Sequence, residues 1–252
     1  GLSVRRLPPL PLLKKYSTDE ATQGVAADRR HFYAIDNTRI GKYERGSGRR
    51  VGERPASPVL PLIHMDGGMV HGNRLVCSHS NFSETPMLSS IEFFDTGTLR
   101  HINSQSFGLD AGSLTWVDWH AGSWWVCFGH YNGKGGEPGK SNALTSLVRY
   151  DAQWRKIAGY VFPLEAIARW DGMTASGGVW GPGERLIVTG HHAPELFLFR
   201  LPRAGSVLEL VGIHESPAEG QGLAIDIPTR RLFQIQRKER AVYEFDLGPL
   251  AS

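Results

Sequence analysis

Apolar residues occur along this chain in short runs separated by turn residues. The runs are about four to eight residues long and are bounded by Gly, Pro, Asn, Asp and Ser, which is the pattern of β-strands joined by tight turns. The same order occurs five times: a Gly-led apolar run, a short turn, a second apolar run, a polar loop and an aromatic-rich run. The second runs read HFYAID, RLVCSH, WWVCFGH, RLIVTGH and RLFQIQ. The pattern therefore predicts an all-β protein built from internal repeats.

These repeats predict a five-bladed β-propeller with four strands in each blade. A fourth apolar run follows in most repeats, as in RKIAGYVF from Arg155, and the period is about 44 residues outside the longer third repeat. Four strands in a unit of that length are typical of a propeller blade. A β-sandwich is the alternative, but its strands do not repeat in sequence at a fixed period. We expect a single domain over residues 1–252, with blades near residues 22–60, 64–108, 112–163, 174–215 and 219–248.

The fifth repeat has no fourth run after AVYEFDLG, so its outer strand must come from elsewhere. The segment LLKKYSTDEATQG near the start of the chain resembles LVGIHESPAEGQG, the outer strand and lead-in before the fifth repeat. We therefore expect residues 12–16 to form the outer strand of blade five and to close the ring, because closure removes exposed sheet edges.

Composition and charge narrow the range of partners. The formal net charge is +3 and the Lys and Arg residues are scattered, so we expect no nucleic-acid partner. No apolar run approaches the roughly 18 residues of a membrane-spanning helix, so we expect no membrane insertion. The first residue is Gly1 and not Met, which slightly favours secretion or export to the periplasm. We further expect a monomer.

Two cysteines, Cys77 and Cys127, occupy matching positions in the second runs of neighbouring repeats. They form neither a disulfide framework nor a zinc-finger spacing. Two alternatives stay open: a pair of buried thiols, which behave as small apolar side chains, or one disulfide.

Polar residues cluster where the first run of each repeat begins and where the second run ends. In a propeller both positions lie on the same face, so residues from all five repeats should meet at one mouth, a common place for ligands. The expected ligand is a small molecule or a saccharide, with a Trp as a surface for a sugar ring. The residues expected to bind it are Gln23, His64, Asn81, Trp116, Asn132, His192, Gln221 and Arg237.

A histidine ends the second run in three repeats, as His79, His130 and His191. Three imidazoles from separate blades could hold one divalent metal ion with an open position for water or substrate. Without a metal, one imidazole could act as a general base and another as a general acid near neutral pH. In a third interpretation, each imidazole hydrogen-bonds loop backbone at a blade corner. The cofactor is therefore unknown, and one divalent ion is a possibility.

Three more residues are candidates for proton transfer at this mouth. Asp66 opens the second repeat and Glu219 opens the fifth, and a pair of carboxylates can supply the acid and the base of glycoside hydrolysis. Tyr131 directly follows His130 and carries a hydroxyl that could move a proton.

The strand sequences resemble those of the glutamine cyclotransferase family, the plant and bacterial glutaminyl cyclases, which are five-bladed propellers. The matching stretches are TQGVAAD from Thr22, SLTWVDWHAGSWWVCFGH from Ser113 and GGVWGPGERLIVTGHHAPELFLF from Gly177. The family's acidic blade openings are not matched, because the second blade reads MDGGMV and the third reads GSLTWVD, and His191 stands where the family has Lys. The resemblance implies the fold and, with Asp66 or Glu219 as the acid, cyclisation of N-terminal glutamine.

Three functional hypotheses follow from the sequence. The first is an enzyme that acts on a small polar or anionic substrate or a saccharide by lyase or hydrolase chemistry, with Arg237 offsetting a substrate carboxylate while a histidine or Tyr131 moves a proton. The second is an aminoacyltransferase of the glutaminyl-peptide cyclotransferase type. The third is a non-catalytic propeller that binds a glycan or a protein.

Overall fold

A computed structural model describes residues 4–109 and 111–250 of the chain, and β-strands dominate it. Two strands precede the blades, β1 (Arg6–Leu7) and β2 (Leu12–Ser17). Blade one contains β3 (Gly24–Ala27), β4 (His31–Ile35), β5 (Ile40–Glu44) and β6 (Arg50–Arg54). Blade two contains β7 (His64–His71), β8 (Arg74–Ser80), β9 (Ser89–Asp95) and β10 (His101–Gly108).

The other three blades follow the same plan. Blade three contains β11 (Ser113–His120), β12 (Ser123–Gly129), β13 (Ser146–Tyr150) and β14 (Lys156–Val161). Blade four contains β15 (Gly177–Gly181), β16 (Arg185–Thr189), β17 (Glu195–Arg200) and β18 (Glu209–Glu215). The last blade contains β19 (Leu223–Asp226), β20 (Arg231–Gln236) and β21 (Ala241–Asp246).

Helical structure is limited to short turns in the described part of the chain. They are α1 (Leu164–Ile167) and the 3-10 turns Asn142–Leu144, Ala168–Trp170, Pro182–Glu184, Arg237–Glu239 and Gly248–Leu250. Within residues 4–109 and 111–250, no helix has the length and apolar character needed to cross a bilayer.

The blades are antiparallel sheets arranged in a ring. In each sheet the strands from the chain's own blade segment lie in sequence order. The first strands of neighbouring blades contact one another in a closed cycle, from β3 through β7, β11, β15 and β19 back to β3. These first strands therefore surround the axis, and the predicted five-bladed propeller with four strands in each blade is confirmed.

The start of the chain closes the ring, as the repeat pattern predicts. Strand β2 runs antiparallel to β21, with Tyr16 opposite Val242, and so supplies the fourth strand of blade five. The Tyr16 hydroxyl donates a 2.8 Å hydrogen bond to the Glu244 carboxylate. Strand β1 pairs in parallel with β18 and adds a fifth strand to blade four. The N-terminal segment therefore joins the last two blades.

Aromatic side chains fill the spaces between blades. Trp116 is 2% exposed and packs with Trp125, Trp180 and Phe197 between blades three and four. The tryptophan-rich stretch that begins at Thr115 is thus largely core, because large rings bury most apolar area at such interfaces. The same apolar layers contain both cysteines, which are free and buried thiols.

Glycine leads the first strands because neighbouring blades approach closely at the axis. A Cβ atom at Gly24 would lie 2.1 Å from the carbonyl oxygen of Asp66, and one at Gly177 would lie 2.4 Å from that of Gln221. Only a residue without a side chain fits such contacts with backbone. The Gly-led runs of the sequence are therefore a consequence of ring closure around the axis.

Side-chain hydroxyls connect blades close to the axis. Ser78 donates a 2.9 Å hydrogen bond to the carbonyl of Thr115, and Thr115 donates one of 2.8 Å to the carbonyl of Ala175. These bonds satisfy buried carbonyls that belong to no ladder. They hold the inner strands of blades two, three and four in fixed relative positions.

Candidate functional site

A cavity of about 480 Å³ opens where the first strands begin and the second strands end. All five blades contribute to it, so its shape depends on the complete ring. Its lining residues are Gln23, Asn37, His64, Asp66, Phe82, Ser83, Tyr131, Lys134, Met173, Ser176, His191, His192, Gln221 and Arg237. We call this cavity the upper mouth.

Asp66 is a buried carboxylate in the wall of the upper mouth. The pairing of β7 with β8 is irregular between Met65 and Gly68, and such a bulge redirects side chains. Asp66 is 5% exposed, and its one described polar partner is His64, which opposes the effect of burial on its pKa. Its nearest ionic partner is His64, whose Nε2 lies 3.8 Å from Oδ2. Burial raises the pKa of Asp66.

Arg237 holds a guanidinium group in the same cavity. It lies directly after β20, where the 3-10 turn begins. Its Nε donates to the carbonyl of Thr22 at 2.7 Å, and its Nη2 donates to Gln23 at 2.9 Å and Gln221 at 3.0 Å. No hydrogen bond to a described residue uses Nη1. Burial lowers the pKa of Arg237, which the nearby Asp66 opposes. The fixed guanidinium can therefore bind an anion with its remaining nitrogen.

Aromatic rings line the side of the cavity formed by blades two and three. The Phe82 ring lies 5.2 Å from the His64 ring and 4.8 Å from the Tyr131 ring, measured between centroids. Tyr131 is buried, and burial raises its pKa well above the ordinary value, so its hydroxyl stays protonated. An apolar wall with one hydroxyl group therefore adjoins the charged groups.

Two histidines line the side formed by blade four. The Nδ1 atoms of His191 and His192 lie 3.2 Å apart, and the carbonyl of His191 accepts a 3.3 Å hydrogen bond from Gln221. Burial, with smaller contributions from His192 and Arg237, lowers the pKa of His191 to about 4. The imidazole of His191 is therefore neutral at pH 7 and can accept a proton or a hydrogen bond.

A glycine-rich loop from blade three reaches the upper mouth. Lys134 from this loop lines the cavity. Glu137 accepts a 2.9 Å hydrogen bond from the backbone N–H of Met87 in blade two. A Cβ at Gly135 would lie 2.3 Å from the Phe82 ring, so the loop packs directly on that ring. The two loops support each other and bring a second cation to the cavity.

His79 and His130 lie outside the upper mouth that His191 lines, so this cavity does not bring together the three imidazoles considered from the sequence. His79 Nε2 accepts a 2.9 Å hydrogen bond from the N–H of Ile63, and its Nδ1 lies 3.1 Å from the Ser90 hydroxyl. His130 is buried against Gly112, where an added Cβ would lie 2.8 Å from its Nε2. No group of three or more His, Cys, Asp or Glu side chains in residues 4–109 and 111–250 is arranged to hold a metal ion.

The other residues expected at the mouth occupy different places. Asn81 accepts a 2.7 Å hydrogen bond from the N–H of Leu88, and Asn132 accepts one of 2.9 Å from Asn142, so both asparagines close loops. Glu219 pairs with Lys238 at 2.8 Å outside the cavity. Trp116 belongs to the core between blades.

Eight of the residues expected from the sequence do line the upper mouth. They are Gln23, His64, Asp66, Tyr131, His191, His192, Gln221 and Arg237. Asn37 and Ser176, which also line it, lie at strand ends like the eight, whereas sequence reasoning missed Phe82, Ser83, Lys134 and Met173, which come from loops between strands. Lys134 follows His130 in a glycine-rich segment, and this sequence feature could have indicated that it lies near the cavity.

Comparisons with known proteins give no family and only weak structural similarity. No protein-family model and no curated protein matches the chain. Among solved structures, it is similar to a chain of the mitotic checkpoint complex, with 8% sequence identity, a TM-score of 0.47 and 94% of each chain covered. It is also similar to hydrazine synthase from Kuenenia stuttgartiensis, with 13% identity, a TM-score of 0.48, and 88% of this chain and 64% of that chain covered. Neither similarity assigns a function.

Proposed function

We propose that the upper mouth is the active site of an enzyme that acts on a small polar molecule with an anionic group. One observation carries this proposal: the carboxylate of Asp66 is buried, has the imidazole of His64 at 3.8 Å as its nearest ionic partner, and lies in the cavity that contains Arg237. Burying a carboxylate with so few partners is costly, so a fold seldom keeps one without a use.

The charges of the upper mouth favour an anionic ligand. Arg237 and Lys134 provide two cationic groups, and Asp66 provides one carboxylate whose raised pKa favours the protonated form. A carboxylate or similar anion can bind Nη1 of Arg237, because this nitrogen retains its hydrogen-bonding capacity. Gln23 and Gln221, which hold the guanidinium, also line the cavity and fix the orientation of the charge.

Lyase or hydrolase chemistry suits the remaining groups. In a β-elimination, Asp66 in its ionised form would take the proton next to a substrate carboxylate held by Arg237. The electron pair of the broken C–H bond forms the new C=C bond as the C–O bond to the leaving group breaks, and Asp66 passes the proton it took to the leaving oxygen, to which the Tyr131 hydroxyl donates a hydrogen bond. A carboxyl group with a raised pKa is a stronger base than an ordinary aspartate and serves this step better near neutral pH.

Turnover of saccharide acids tests this proposal. Oligosaccharides of uronic acids are offered to the protein, elimination is followed by the ultraviolet absorbance of the new C=C bond, and hydrolysis by the release of reducing ends. Asp66→Asn keeps the shape of the side chain and removes the base, so we expect turnover to fall by about 10²–10⁴-fold. The matched control is Glu219→Gln, an acidic residue outside the cavity, which should leave turnover unchanged. Turnover that survives in Asp66→Asn contradicts the proposal.

A second candidate is an aminoacyltransferase of the glutaminyl-peptide cyclotransferase type. The observation that favours it is that Gln23, from the TQG stretch that resembles the family's opening, and Asp66 line the same cavity. Ammonia release from a peptide with N-terminal glutamine distinguishes the two candidates. Binding of saccharide acids without any turnover would instead favour a non-catalytic binding protein.

A further inference from the structure

A second cavity lies at the opposite end of the propeller axis. It has a volume of about 370 Å³ and is bounded by the ends of the first strands of all five blades. We call it the lower mouth. Its walls are largely apolar and include Met69, Val70, Trp119, Trp180, Ile225 and Ile227. None of the residues proposed to act in the upper mouth takes part in it.

One buried carboxylate, Asp118, faces this apolar cavity. Asp118 belongs to β11 and is 6% exposed. Its Oδ1 accepts a 3.0 Å hydrogen bond from the N–H of Trp119, and its Oδ2 accepts one of 2.7 Å from the N–H of Trp180. No Lys or Arg of the described residues forms an ion pair with it. Burial raises the pKa of Asp118 to about 7.

The surroundings of Asp118 also suit a cation. His120 stacks on Trp180, with ring centroids 4.6 Å apart and an interplanar angle of 10°. Its Nε2 lies 2.8 Å from a carboxylate oxygen of Glu184, which is at the exposed rim. Aromatic faces attract cations through their quadrupole, most strongly when water is excluded. The lower mouth therefore combines two carboxylates with aromatic walls.

The two backbone hydrogen bonds do not use the full hydrogen-bonding capacity of Asp118. Asp118 links blade three to blade four by accepting the N–H of Trp180. Its other oxygen accepts the N–H of Trp119, so both oxygens are engaged on the backbone side, and burial still imposes a desolvation cost that no described Lys or Arg offsets. The carboxylate keeps further lone pairs, since an ionised carboxyl group has about four acceptor positions and two are used.

We propose that the lower mouth is a second ligand site that binds an organic cation, with a primary ammonium group at Asp118 and an apolar group against the tryptophans. The site goes beyond the proposed enzyme activity and takes a ligand of opposite charge from that of the upper mouth. An ammonium group supplies the positive charge that the buried carboxylate lacks. The apolar part of the ligand covers surface that the ring leaves uncovered.

Calorimetric titration with three probes of similar shape tests the charge preference. The probes are 2-phenylethylammonium, the neutral 2-phenylethanol and the anionic 3-phenylpropanoate. We expect the cation to bind the full chain at least about tenfold more tightly than the alcohol. A tenfold difference in affinity corresponds to about 1.4 kcal/mol in binding free energy. In Asp118→Asn the cation should lose this advantage and bind no better than the alcohol.

Two further variants distinguish a loss of cation binding at the lower mouth from misfolding and from an effect of the upper mouth. Ile227→Lys changes an exposed rim side chain and places a like charge at the entrance, so it should weaken cation binding without unfolding the protein. Asp66→Asn removes the buried carboxylate of the upper mouth and should leave cation binding unchanged. Equal affinity for cation and alcohol, absence of cation binding, or loss of cation binding in Asp66→Asn alone would overturn the proposal.

Discussion

At the scale of single residues, the three repeated histidines do not share one role, since His191 lines the upper mouth and the other two do not. His79 accepts the N–H of Ile63, and the asparagine two residues after each of the first two histidines closes the loop that follows its strand. These residues finish blade corners, which satisfies backbone groups that would otherwise be buried without partners. Asp66 is different, because its carboxylate closes no loop and has His64 as its nearest ionic partner. The proposed function therefore rests on a carboxylate in a bulge, Asp66, more than on the recurring imidazoles.

Asp66 should destabilise the fold at neutral pH. Its folded-state pKa is raised above the value near 3.9 of an unfolded aspartate. The stability linked to its proton is therefore fully present below about pH 4 and is lost as the pH rises through the folded pKa. The Asp66→Asn substitution removes this loss of stability. It also leaves the guanidinium of Arg237 with its hydrogen bonds to Thr22, Gln23 and Gln221. We expect Asp66→Asn to melt at a higher temperature than the natural protein at pH 8, with the difference vanishing near pH 4.

Asp95→Asn serves as a control of opposite sign for this melting experiment. The N–H of Thr98 donates to the exposed Asp95 carboxylate and lowers its pKa. The stability linked to Asp95 is therefore present above the ordinary pKa and is lost as the pH falls, so its replacement should not raise the melting temperature at pH 8. An Asp66→Asn protein with a melting temperature equal to or below the natural one at pH 8 would contradict the expected cost of burying the Asp66 charge.

Side-chain direction limited what the sequence could predict about the site. Strand direction placed Asp66, His191 and Arg237 correctly at one mouth, because the ends of strands follow from the order of elements. Strand direction alone could not show whether the side chain of His79 faces the cavity, since adjacent side chains in a strand point to opposite faces. The bulge between Met65 and Gly68 shifts this alternation, and nothing in the letters MDGGMV specifies where it occurs.

At the scale of strands and loops, inner-strand glycines position the site. Gly24 allows β3 to pass directly beside the backbone of Asp66, and similar contacts occur between the other blades. The loops that supply Phe82 and Lys134 are held by one another, through the contact of Gly135 with the Phe82 ring and the bond from Met87 to Glu137. Contacts between separate loops have no periodic signature, which is why these two residues could not be predicted.

Replacing Gly24 should therefore disturb both the fold and the upper mouth. The new methyl group of Gly24→Ala would lie 2.1 Å from the Asp66 carbonyl oxygen, and backbone cannot move there without shifting the inner strands. We expect a loss of about 1–3 kcal/mol in the free energy of unfolding, which is typical of overpacking. Gly159→Ala is the matched control, because its strand position has no neighbour within 4 Å of the added Cβ. Denaturant titration measures both, and equal stabilities would refute the close approach at the axis.

At the scale of the whole molecule, the ring creates two mouths of different chemistry on one axis. The fold was predictable because the same order of strands and turns occurs five times in the sequence. The closing strand was predictable because residues 12–16 resemble an outer strand that the last repeat lacks. The mouths were less predictable, since each combines residues from five blades. The upper mouth contains Arg237, Lys134 and Asp66, whereas the lower mouth is apolar around Asp118.

The titration of the Asp66 carboxyl group is the measurement that tests the central claim most directly. Carbon-13 NMR follows the carboxyl resonance that disappears in Asp66→Asn, first in the free protein and then with D-galacturonate present. We predict a pKa clearly above the ordinary value near 3.9 and a further increase when the uronate binds, because a second anion disfavours ionisation. An ordinary aspartate pKa that the uronate does not change would contradict the assignment of the upper mouth as an anion-binding active site.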